Sequence, residues 1–360
     1  MVRGGYQAMT KVLGLALYGP LAASTRYRLG QYVPGLADQG IDLQIRHLLG
    51  DAYLRRTFSG GSKPWPAMLQ AGWQRLGDLR RQSSFDAIML HCELFPLMPA
   101  WVEQLLLHQP YIYDFDDAFY LKYRTGRLAR LQGVLGGKFD SVMQEATVIT
   151  AGNQVLKDYA LQHNPCTTLL PTVVDTVRYF PDRRERGREL IVGWIGSPST
   201  APYLSELVAP LTTLGKEGPV RLVVIGGRAP AIAGVTVEER AWSEASEVSL
   251  INGFDIGVMP LPDDAWARGK CAFKLIQYMA CGVPVIASHV GANVEIVGAD
   301  CGLLAVTESQ WLEALRTLRD MPARAAEMGA AGRERVERNY SLHRNLPVLA
   351  EVISATAGPE

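Results

Sequence analysis

The sequence has few cysteines and no net charge. Its 360 residues include five cysteines, an odd number with no Cys-x-x-Cys pair, which argues against a disulfide framework or a thiolate zinc site. Lysine and arginine total 36, as do aspartate and glutamate. Without a basic excess, a protein that holds nucleic acid by bulk charge is not expected. The 48% hydrophobic content argues against disorder.

Long hydrophobic runs are also missing. No segment approaches the ~20 apolar residues that span a bilayer. The run at 12–18 follows Arg3 and Lys11 and looks like a short signal peptide, but Gly19 and Pro20 interrupt it. We interpret it as a first buried strand. We therefore expect a cytoplasmic protein, which can also act at the inner face of the cell membrane.

Short apolar runs alternate with longer stretches of helical periodicity. The predicted strands are 12–17, 42–46, 87–90, 111–113, 148–150 and 168–170, then 190–194, 221–225, 235–237, 256–259, 283–287 and 302–304. This alternation is typical of α/β proteins with parallel sheets wrapped by helices. Two prolines and the charge run 182–189 divide the series near 171–188, which predicts two Rossmann-like domains.

The neutral total conceals an asymmetry. Residues 1–180 carry 18 basic and 14 acidic side chains, and the remainder carries 18 and 22. Basic residues and leucines interleave at helical spacing over 122–138, which predicts a basic amphipathic helix. Such a helix could meet an anionic membrane or a phosphate-bearing acceptor, although a core-packing helix with a solvated face is slightly favoured. The acceptor or membrane candidates are Arg26, Arg28, Arg124, Arg127 and Arg130.

A glycine turn follows the first strand of the second half. Gly196 precedes Ser197, Ser199 and Thr200, and a helix is expected from about residue 201. Free backbone N–H groups at a helix start suit a diphosphate. The alternative is a strand–helix turn that binds nothing. Gly226, after the next strand, is a candidate for nucleoside contact.

A cationic segment lies at 267–287. Arg268, Lys270 and Lys274 precede a glycine-closed helix and a buried strand. We expect Lys270 and Lys274, four residues apart, to share one helix face near the helix start. Two positive charges at a helix start repel each other and oppose the helix dipole, which lowers stability, and a bound anion would offset this loss of stability. Two solvated lysines are the alternative.

Another glycine loop opens a helix at 291–297. It contains Asn293 and Glu295. Glu295 either complements the helix dipole or holds a ligand hydroxyl, and the sequence leaves both open.

Three carboxylates crowd the end of a first-half strand. Asp114, Asp116 and Asp117 follow the apolar run at 111–113, and His91 and Glu93 follow the run at 87–90. Ligands of parallel α/β sheets bind beyond the carboxyl ends of the strands. The carboxylates therefore suggest sugar hydroxyls, a divalent metal or proton transfer. N-capping by one aspartate is the alternative, and His91 is as readily structural as functional.

Together these segments resemble one branch of the retaining glycosyltransferases of family 4. The similarity is carried by 193–200, 254–261 and 270–288, with 171–176 and 113–117 in support. It implies the GT-B architecture, with two Rossmann-like domains facing across a cleft. The implied boundaries are an acceptor-binding domain at 1–175, a nucleotide-sugar-binding domain at 190–338, and a C-terminal helix at 339–360 that packs back on the first domain.

The sequence departs from the commoner family pattern at three points. The glycine turn lacks the usual Arg and Lys, so Arg268, Lys270 and Lys274 are expected to neutralise the diphosphate. The usual ribose-binding Glu aligns with Gln277. The usual His of the first-domain cleft aligns with Asp116. The resemblance thus implies Asp116, Asp117, His91 and Lys274 as catalytic candidates.

The resemblance implies transfer of a sugar, with retention, from a nucleotide-sugar to a glycan, lipid-linked or other hydroxyl acceptor, in cell-surface polysaccharide or glycoconjugate synthesis. UDP- or GDP-sugars are the expected donors, no metal is expected to be required, and no nucleic-acid partner is expected. A nucleotide-sugar epimerase of the same architecture and a non-catalytic binding protein are the alternatives. A dehydrogenase is disfavoured because no G-x-G-x-x-G follows the first strand.

Overall fold

The computed structural model describes residues 9–61, 64–182 and 187–358, and they form two compact units. The first unit comprises the described residues up to Thr172 together with those from Asn345 onward, and the second comprises Val173–Arg344. The charge run at 182–189 lies partly outside the described residues. None of the helices in the described ranges is long and apolar enough to span a bilayer.

The first unit contains a six-stranded parallel sheet in the order β2-β1-β3-β4-β5-β6. Its strands are β1 (Thr10–Tyr18), β2 (Ile41–Leu49), β3 (Ala87–His91), β4 (Tyr111–Phe115), β5 (Val148–Ala151) and β6 (Thr167–Leu169). Its helices before the second unit are α1 (Val33–Ala37), α2 (Asp51–Phe58), α3 (Trp65–Arg80), α4 (Ala100–Leu106), α5 (Gln132–Leu135), α6 (Lys138–Glu145) and α7 (Gln154–Leu161).

The second unit contains another six-stranded parallel sheet, in the order β12-β11-β10-β7-β8-β9. Its strands are β7 (Leu190–Ile195), β8 (Val220–Ile225), β9 (Thr236–Arg240), β10 (Ile256–Met259), β11 (Val285–Ser288) and β12 (Gly302–Ala305). Its helices are α8 (Val208–Gly215), α9 (Glu247–Asn252), α10 (Ala265–Arg268), α11 (Phe273–Ala280), α12 (Ala292–Val297), α13 (Glu308–Asp320) and α14 (Pro322–Asn339), and α15 (Leu342–Ala357) follows.

Each predicted strand overlaps a strand of the structure, and the α/β class is confirmed. Helices on both faces bury parallel strands completely, so their sequences are nearly continuous apolar runs rather than alternating ones. In the first unit Val12, Ile88 and Ile112 are inaccessible to solvent. In the second, Val192 and Ile256 join one core with the helices that cover the sheet.

The prediction of one basic amphipathic helix over 122–138 is wrong. Short 3₁₀ turns occupy Phe119–Leu121 and Gly126–Leu131, and only the four residues of α5 are α-helical before α6 starts at Lys138. Gly126 has a positive φ of 63°, which side chains with a Cβ rarely adopt. Glycines at 136 and 137 then separate α5 from α6. The leucines therefore recur at the spacing of a helix, although the backbone of this segment does not form one continuous helix.

One glycine of the second sheet is required by packing, which gives a stability prediction. A Cβ at Gly193 in β7 would lie 2.0 Å from the ring of Phe254. We expect Gly193→Ala to lower the free energy of unfolding by about 1–3 kcal/mol through overpacking. Gly72→Ala is the control, because that site in α3 is open and alanine there should stabilise the helix by about 0.5–1 kcal/mol. Urea denaturation would measure both, and a Gly193→Ala protein as stable as wild type would contradict the argument.

Candidate functional site

The strand order of the second unit fixes where a ligand can enter its sheet. The chain order reverses at β7, which lies between β8 and β10. In open parallel sheets the crevice beyond the carboxyl ends of the strands at such a switch point is the usual ligand site. Gly196 directly follows β7, and Gly226 directly follows β8. Both predicted glycine positions therefore lie at this edge.

The turn after β7 is held tightly by its neighbours. The Gly196 N–H donates to the carbonyl of Ile225 (3.0 Å). A Cβ on Gly226, whose φ is +77°, would lie 2.6 Å from the carbonyl oxygen of Gly196. Ser197 and Ser199 hydrogen-bond each other through their hydroxyls (2.7 Å). The backbone approach and the positive φ require glycine at 226. At 196 a Cβ would instead lie 2.5 Å from the Trp194 ring, so packing alone accounts for both glycines.

Lys274 reaches the glycine turn from α11. It is half-buried in the first turn of that helix. Its Nζ lies 5.3 Å from the ring centroid of Trp194, and a Cβ on Gly196 would lie 2.8 Å from its Cε. Thr200, at the end of the turn, bonds back to the carbonyl of Ser197 (3.2 Å). The structure thus brings the predicted turn and one predicted cation together.

Lys270 does not share a helix face with Lys274, so that prediction is wrong. Lys270 lies in the connection between α10 and α11. The connection ends at Ala272, which adopts the left-handed conformation with φ at 49°. An i,i+4 relation requires both residues in one continuous helix. Lys270 therefore lies on a loop rather than on α11.

Arg268 is engaged by a carboxylate at the surface. Its Nε and one terminal nitrogen donate to the two oxygens of Asp263 at 2.7 and 3.1 Å, and both side chains are exposed. The backbone of Arg268 nevertheless packs against the glycine loop at 291–297, because a Cβ on Gly291 would lie 2.5 Å from the carbonyl oxygen of Arg268. The cationic segment at 267–287 and the glycine loop at 291–297 are therefore in contact.

Of the remaining donor-side candidates, Asn293 is the most informative. It is buried, and its Nδ2 donates to the carbonyl of Ser288 (3.0 Å). Its Oδ1 has no hydrogen-bond partner among the described residues. A buried amide oxygen without a partner is costly and is a ready acceptor for a ligand hydroxyl. Glu295, two residues on, is exposed to solvent.

Gln277 belongs to a buried network that includes residues with no signal in the sequence. Its Nε2 donates to the hydroxyl of Tyr179 (2.9 Å). That hydroxyl donates to the buried carboxylate of Glu247, which also accepts from Trp242 Nε1 (2.8 Å). Arg178 donates to the same carboxylate (3.0 Å). The amide of Gln277 thus holds protein partners at the position of the usual ribose-binding glutamate.

In the first unit the carboxyl edge of the sheet contains a fully buried ion network. Asp114, in β4, accepts from Arg28 through both oxygens. His91 Nδ1 and the Thr150 hydroxyl bond the same carboxylate at 2.7 and 2.6 Å. Arg28 also donates to the carbonyl of Leu170. Arg28 is only 1% exposed, so it has no surface to offer an acceptor or a membrane, contrary to its expected role.

These charges set the ionisation of the network. Burial raises the pKa of Asp114, but the Arg28 guanidinium and the hydrogen bond and charge of His91 outweigh it and hold the pKa well below its usual range. Burial alone would lower the pKa of Arg28, but the nearby Asp114 carboxylate outweighs burial and raises that pKa above its usual value. The pair is therefore an ionised carboxylate against a permanent cation.

His91 and Asp116 meet at this edge beside a cysteine. Cys92 Sγ lies 3.1 Å from His91 Nε2, and one ligand atom each of His91, Cys92 and Asp116 lies within 4.8 Å of the others. Cys92 has φ of 67°, and burial and the nearby aspartates raise the pKa of its thiol. Asp116 and Asp117 are half-buried. Imidazole, thiol and carboxylate could hold a divalent metal, and the carboxylates could equally bond sugar hydroxyls.

The other basic candidates of the first unit separate into two kinds. Arg124 donates to the carbonyl of Gly136 (2.7 Å) and pairs with Asp140. Arg26 donates to the carbonyl of Pro20 (2.7 Å). Arg127 and Arg130 are exposed. Of the five acceptor or membrane candidates, which include Arg28, only Arg127 and Arg130 are exposed.

A second buried ion cluster supports the loop after β3. Lys138, predicted as part of the basic helix, is buried and donates to Glu93 (2.7 Å) and Glu103 (2.8 Å). Tyr123 donates to Glu93 (2.7 Å), and Lys122 pairs with it. Burial raises the pKa of Glu103 to about 7, although Lys138 opposes the rise. In the sequence Glu93 follows the same predicted strand as His91, whereas Glu103 carries no signal.

Two parallel six-stranded sheets with this connectivity define the GT-B glycosyltransferase fold, as predicted. The TM-score with sucrose-phosphate synthase of Thermosynechococcus elongatus is 0.68, at 15% identity, and the match covers 95% of this chain and 98% of that one. The TM-score with the HepE protein of Anabaena in complex with UDP-glucose is 0.69, at 13% identity, and the match covers 96% of this chain and 99% of that one. A glycosyltransferase of Rickettsia africae also scores 0.68 (13%, 98% and 100%).

The sequence comparisons point to the same class. Residues 190–320, within the second unit, match the family model of the glycosyl transferases group 1. D-inositol 3-phosphate glycosyltransferases of Rhodococcus opacus and Rhodococcus jostii are 26% identical over 233 residues, which is 57% of this chain and 51% of each relative. The chain thus spans about half the length of these curated relatives. The second unit is therefore similar to the glycosyl transferases group 1 in sequence, and the fold is that of GT-B structures.

Proposed function

We propose that the protein is a retaining glycosyltransferase that moves a sugar from a nucleotide-sugar to a hydroxyl of a glycan or lipid-linked acceptor, in cell-surface polysaccharide or glycoconjugate synthesis. The observation that carries this proposal is the approach of Lys274 to the Gly196 turn at the switch point of the second sheet. A half-buried cation beside a glycine turn is suited to a diphosphate.

The second unit takes the donor in this proposal. The diphosphate lies along the turn at 196–200, where Lys274 and Lys270 offset its charge. The unpartnered Oδ1 of Asn293 accepts from a donor hydroxyl. Arg268 contributes only if it leaves Asp263. A UDP-sugar is the preferred donor because the HepE neighbour was solved with UDP-glucose, and a GDP-sugar is the alternative.

The first unit takes the acceptor. Asp116 and Asp117 bond the acceptor hydroxyls from the carboxyl edge of its sheet, and the buried Asp114 network fixes His91 beside them. Breaking the sugar–phosphate bond places negative charge on the leaving diphosphate, and that charge is greater in the transition state than in the bound donor. Lys274 therefore lowers the barrier rather than only tightening binding. In this class the leaving diphosphate takes the acceptor proton on the same face, so no side chain acts as a covalent nucleophile.

Calorimetric titration with a panel of UDP- and GDP-sugars, followed by an assay of the tightest binder, tests the proposal. We expect saturable binding of one donor, slow release of its nucleoside diphosphate in water, and a sugar product with the donor's anomeric configuration by NMR. Conversion of the donor to an epimer without diphosphate release would replace the proposal with an epimerase. Failure of every donor to bind would favour a binding protein of another kind.

A further inference from the structure

Five large apolar side chains lie exposed on two helices of the first unit. Trp65, Leu69 and Trp73 recur every four residues along α3, with 59%, 68% and 69% of their surface exposed. Trp101 and Leu105 on α4 are 62% and 66% exposed. Single exposed apolar residues are ordinary, but a set with three tryptophans marks an interaction surface. We call these five residues the tryptophan face.

The two helices that carry the tryptophan face approach each other at their carboxyl-terminal ends. Gln82, just after α3, donates from Nε2 to the carbonyl of Leu106 at the end of α4 (2.8 Å). A shallow cavity is lined by Leu76 of α3 and by the same Leu106. Each helix leads into the amino end of the next strand, β3 or β4. Trp65 and Trp101, both in first turns, therefore lie toward the carboxyl edge, where ligands of such sheets bind.

The sequence that leads into α3 and through most of it carries basic but no acidic residues. Between Asp51 and Asp78 the chain has no acidic residue, and Arg55 and Arg56 are exposed at the end of α2, which precedes α3. The acid of α4, Glu103, is buried against Lys138. Exposed tryptophan and leucine beside exposed arginine is the composition of surfaces that lie in the headgroup region of anionic bilayers.

We propose that the tryptophan face docks the protein on an anionic lipid bilayer. Its indole rings lie at the headgroup level, the leucines enter the acyl boundary, and Arg55 and Arg56 face the phosphates. A symmetric pairing of two copies would bring the like-charged flanks together, which disfavours a second copy as the occupant. The inference goes beyond the proposed transfer reaction and does not depend on it. Such docking would present the acceptor edge of the first unit to lipid-linked substrates.

Vesicle co-sedimentation of the full chain tests the proposal. We expect binding to phosphatidylcholine vesicles that contain phosphatidylglycerol, and weaker binding to phosphatidylcholine alone or at high salt. The combined variant Trp65→Ser, Trp73→Ser and Trp101→Ser should weaken binding by roughly tenfold or more, because interfacial affinity scales with the buried apolar area. The control is Val177→Ser with Val306→Ser, which removes exposed apolar side chains from the second unit.

Circular dichroism and nucleotide-sugar titration of the triple variant separate docking from folding and from donor binding, both of which should be unchanged. Equal vesicle binding by the triple variant and wild type would overturn the proposal, as would failure of wild type to bind anionic vesicles. A wild-type dimer in sedimentation equilibrium that the triple variant abolishes would assign the face to a second copy and also overturn it.

Discussion

Asp114→Asn lowers the free energy of unfolding by about 3–5 kcal/mol, the loss expected when one member of a buried ion pair is removed. Asparagine can still bond His91 and Thr150, but it carries no charge to balance the Arg28 guanidinium. Arg28 is too deeply buried to recover that interaction from water. Denaturant unfolding followed by circular dichroism, with the first-unit tryptophans as a second probe, would measure the loss.

A double-mutant cycle separates the charge from the packing. Arg28→Met alone leaves a buried carboxylate and should be comparably destabilising. Combined with Asp114→Asn it should cost clearly less than the two losses added, because neither charge is then left unpaired. Strictly additive losses would show that the two side chains are not coupled, contrary to the geometry.

The same pair makes stability depend on pH in a defined direction. The folded-state pKa of Asp114 is lowered, so its contribution is fully present above the unfolded-state pKa of about 3.9 and is lost as pH falls toward the lower folded value. Asp114→Asn should remove this acid-side dependence. The difference in stability between wild type and variant should therefore narrow as the solution is acidified below that pH.

Lys274→Ala should weaken binding of the nucleotide-sugar by roughly ten- to a hundredfold, since a hydrogen bond to a charged group is worth about 1.5–3 kcal/mol. The rate of diphosphate release should fall further than the binding constant if Lys274 stabilises the departing charge. Calorimetry gives the first quantity, and single-turnover release of nucleoside diphosphate gives the second. Lys274→Arg keeps the charge and should lose less of either.

Lys216→Ala is the matched control, because Lys216 is an exposed lysine of the same unit outside the switch point. It should bind donor as wild type does. If Lys274→Ala also binds and reacts as wild type does, Lys274 does not contact the diphosphate and neutralisation must come from elsewhere. Equal losses in the two variants would indicate a general charge effect rather than a contact.

The strands could be predicted from the sequence because burial on both faces gives each of them an unbroken apolar run. The positions of Gly196 and Gly226 could be predicted from the same pattern, since each glycine directly follows one of these runs. The segment at 122–138 could not be assigned correctly. Its leucine period was right for a helix, but Gly126 and the glycines at 136 and 137 interrupt it. Likewise, the sequence around Lys270 does not indicate that Ala272 adopts a left-handed backbone conformation.

Buried charges were the least predictable part of the site. Arg28 and Lys138 have the composition of surface residues, and they are buried only because Asp114, Glu93 and Glu103 meet them from distant parts of the chain. The partners are up to 86 residues apart along the chain, so the sequence around each residue does not indicate that it is paired and buried. The carboxylates at the strand ends could be predicted, but which of them faces inward could not.

The discontinuity of the first unit has a consequence for synthesis on the ribosome. The second unit is one uninterrupted stretch, Val173–Arg344, whereas the first recruits the residues from Asn345 onward. Within that last stretch Leu349 and Ile353 are buried, and Leu346 packs against Gly35. The first unit therefore begins to emerge from the ribosome without its C-terminal residues, which form part of its core. The second unit has emerged in full before those residues are made. Vectorial folding, in which domains generally fold as they emerge, would here complete the later unit before the earlier one.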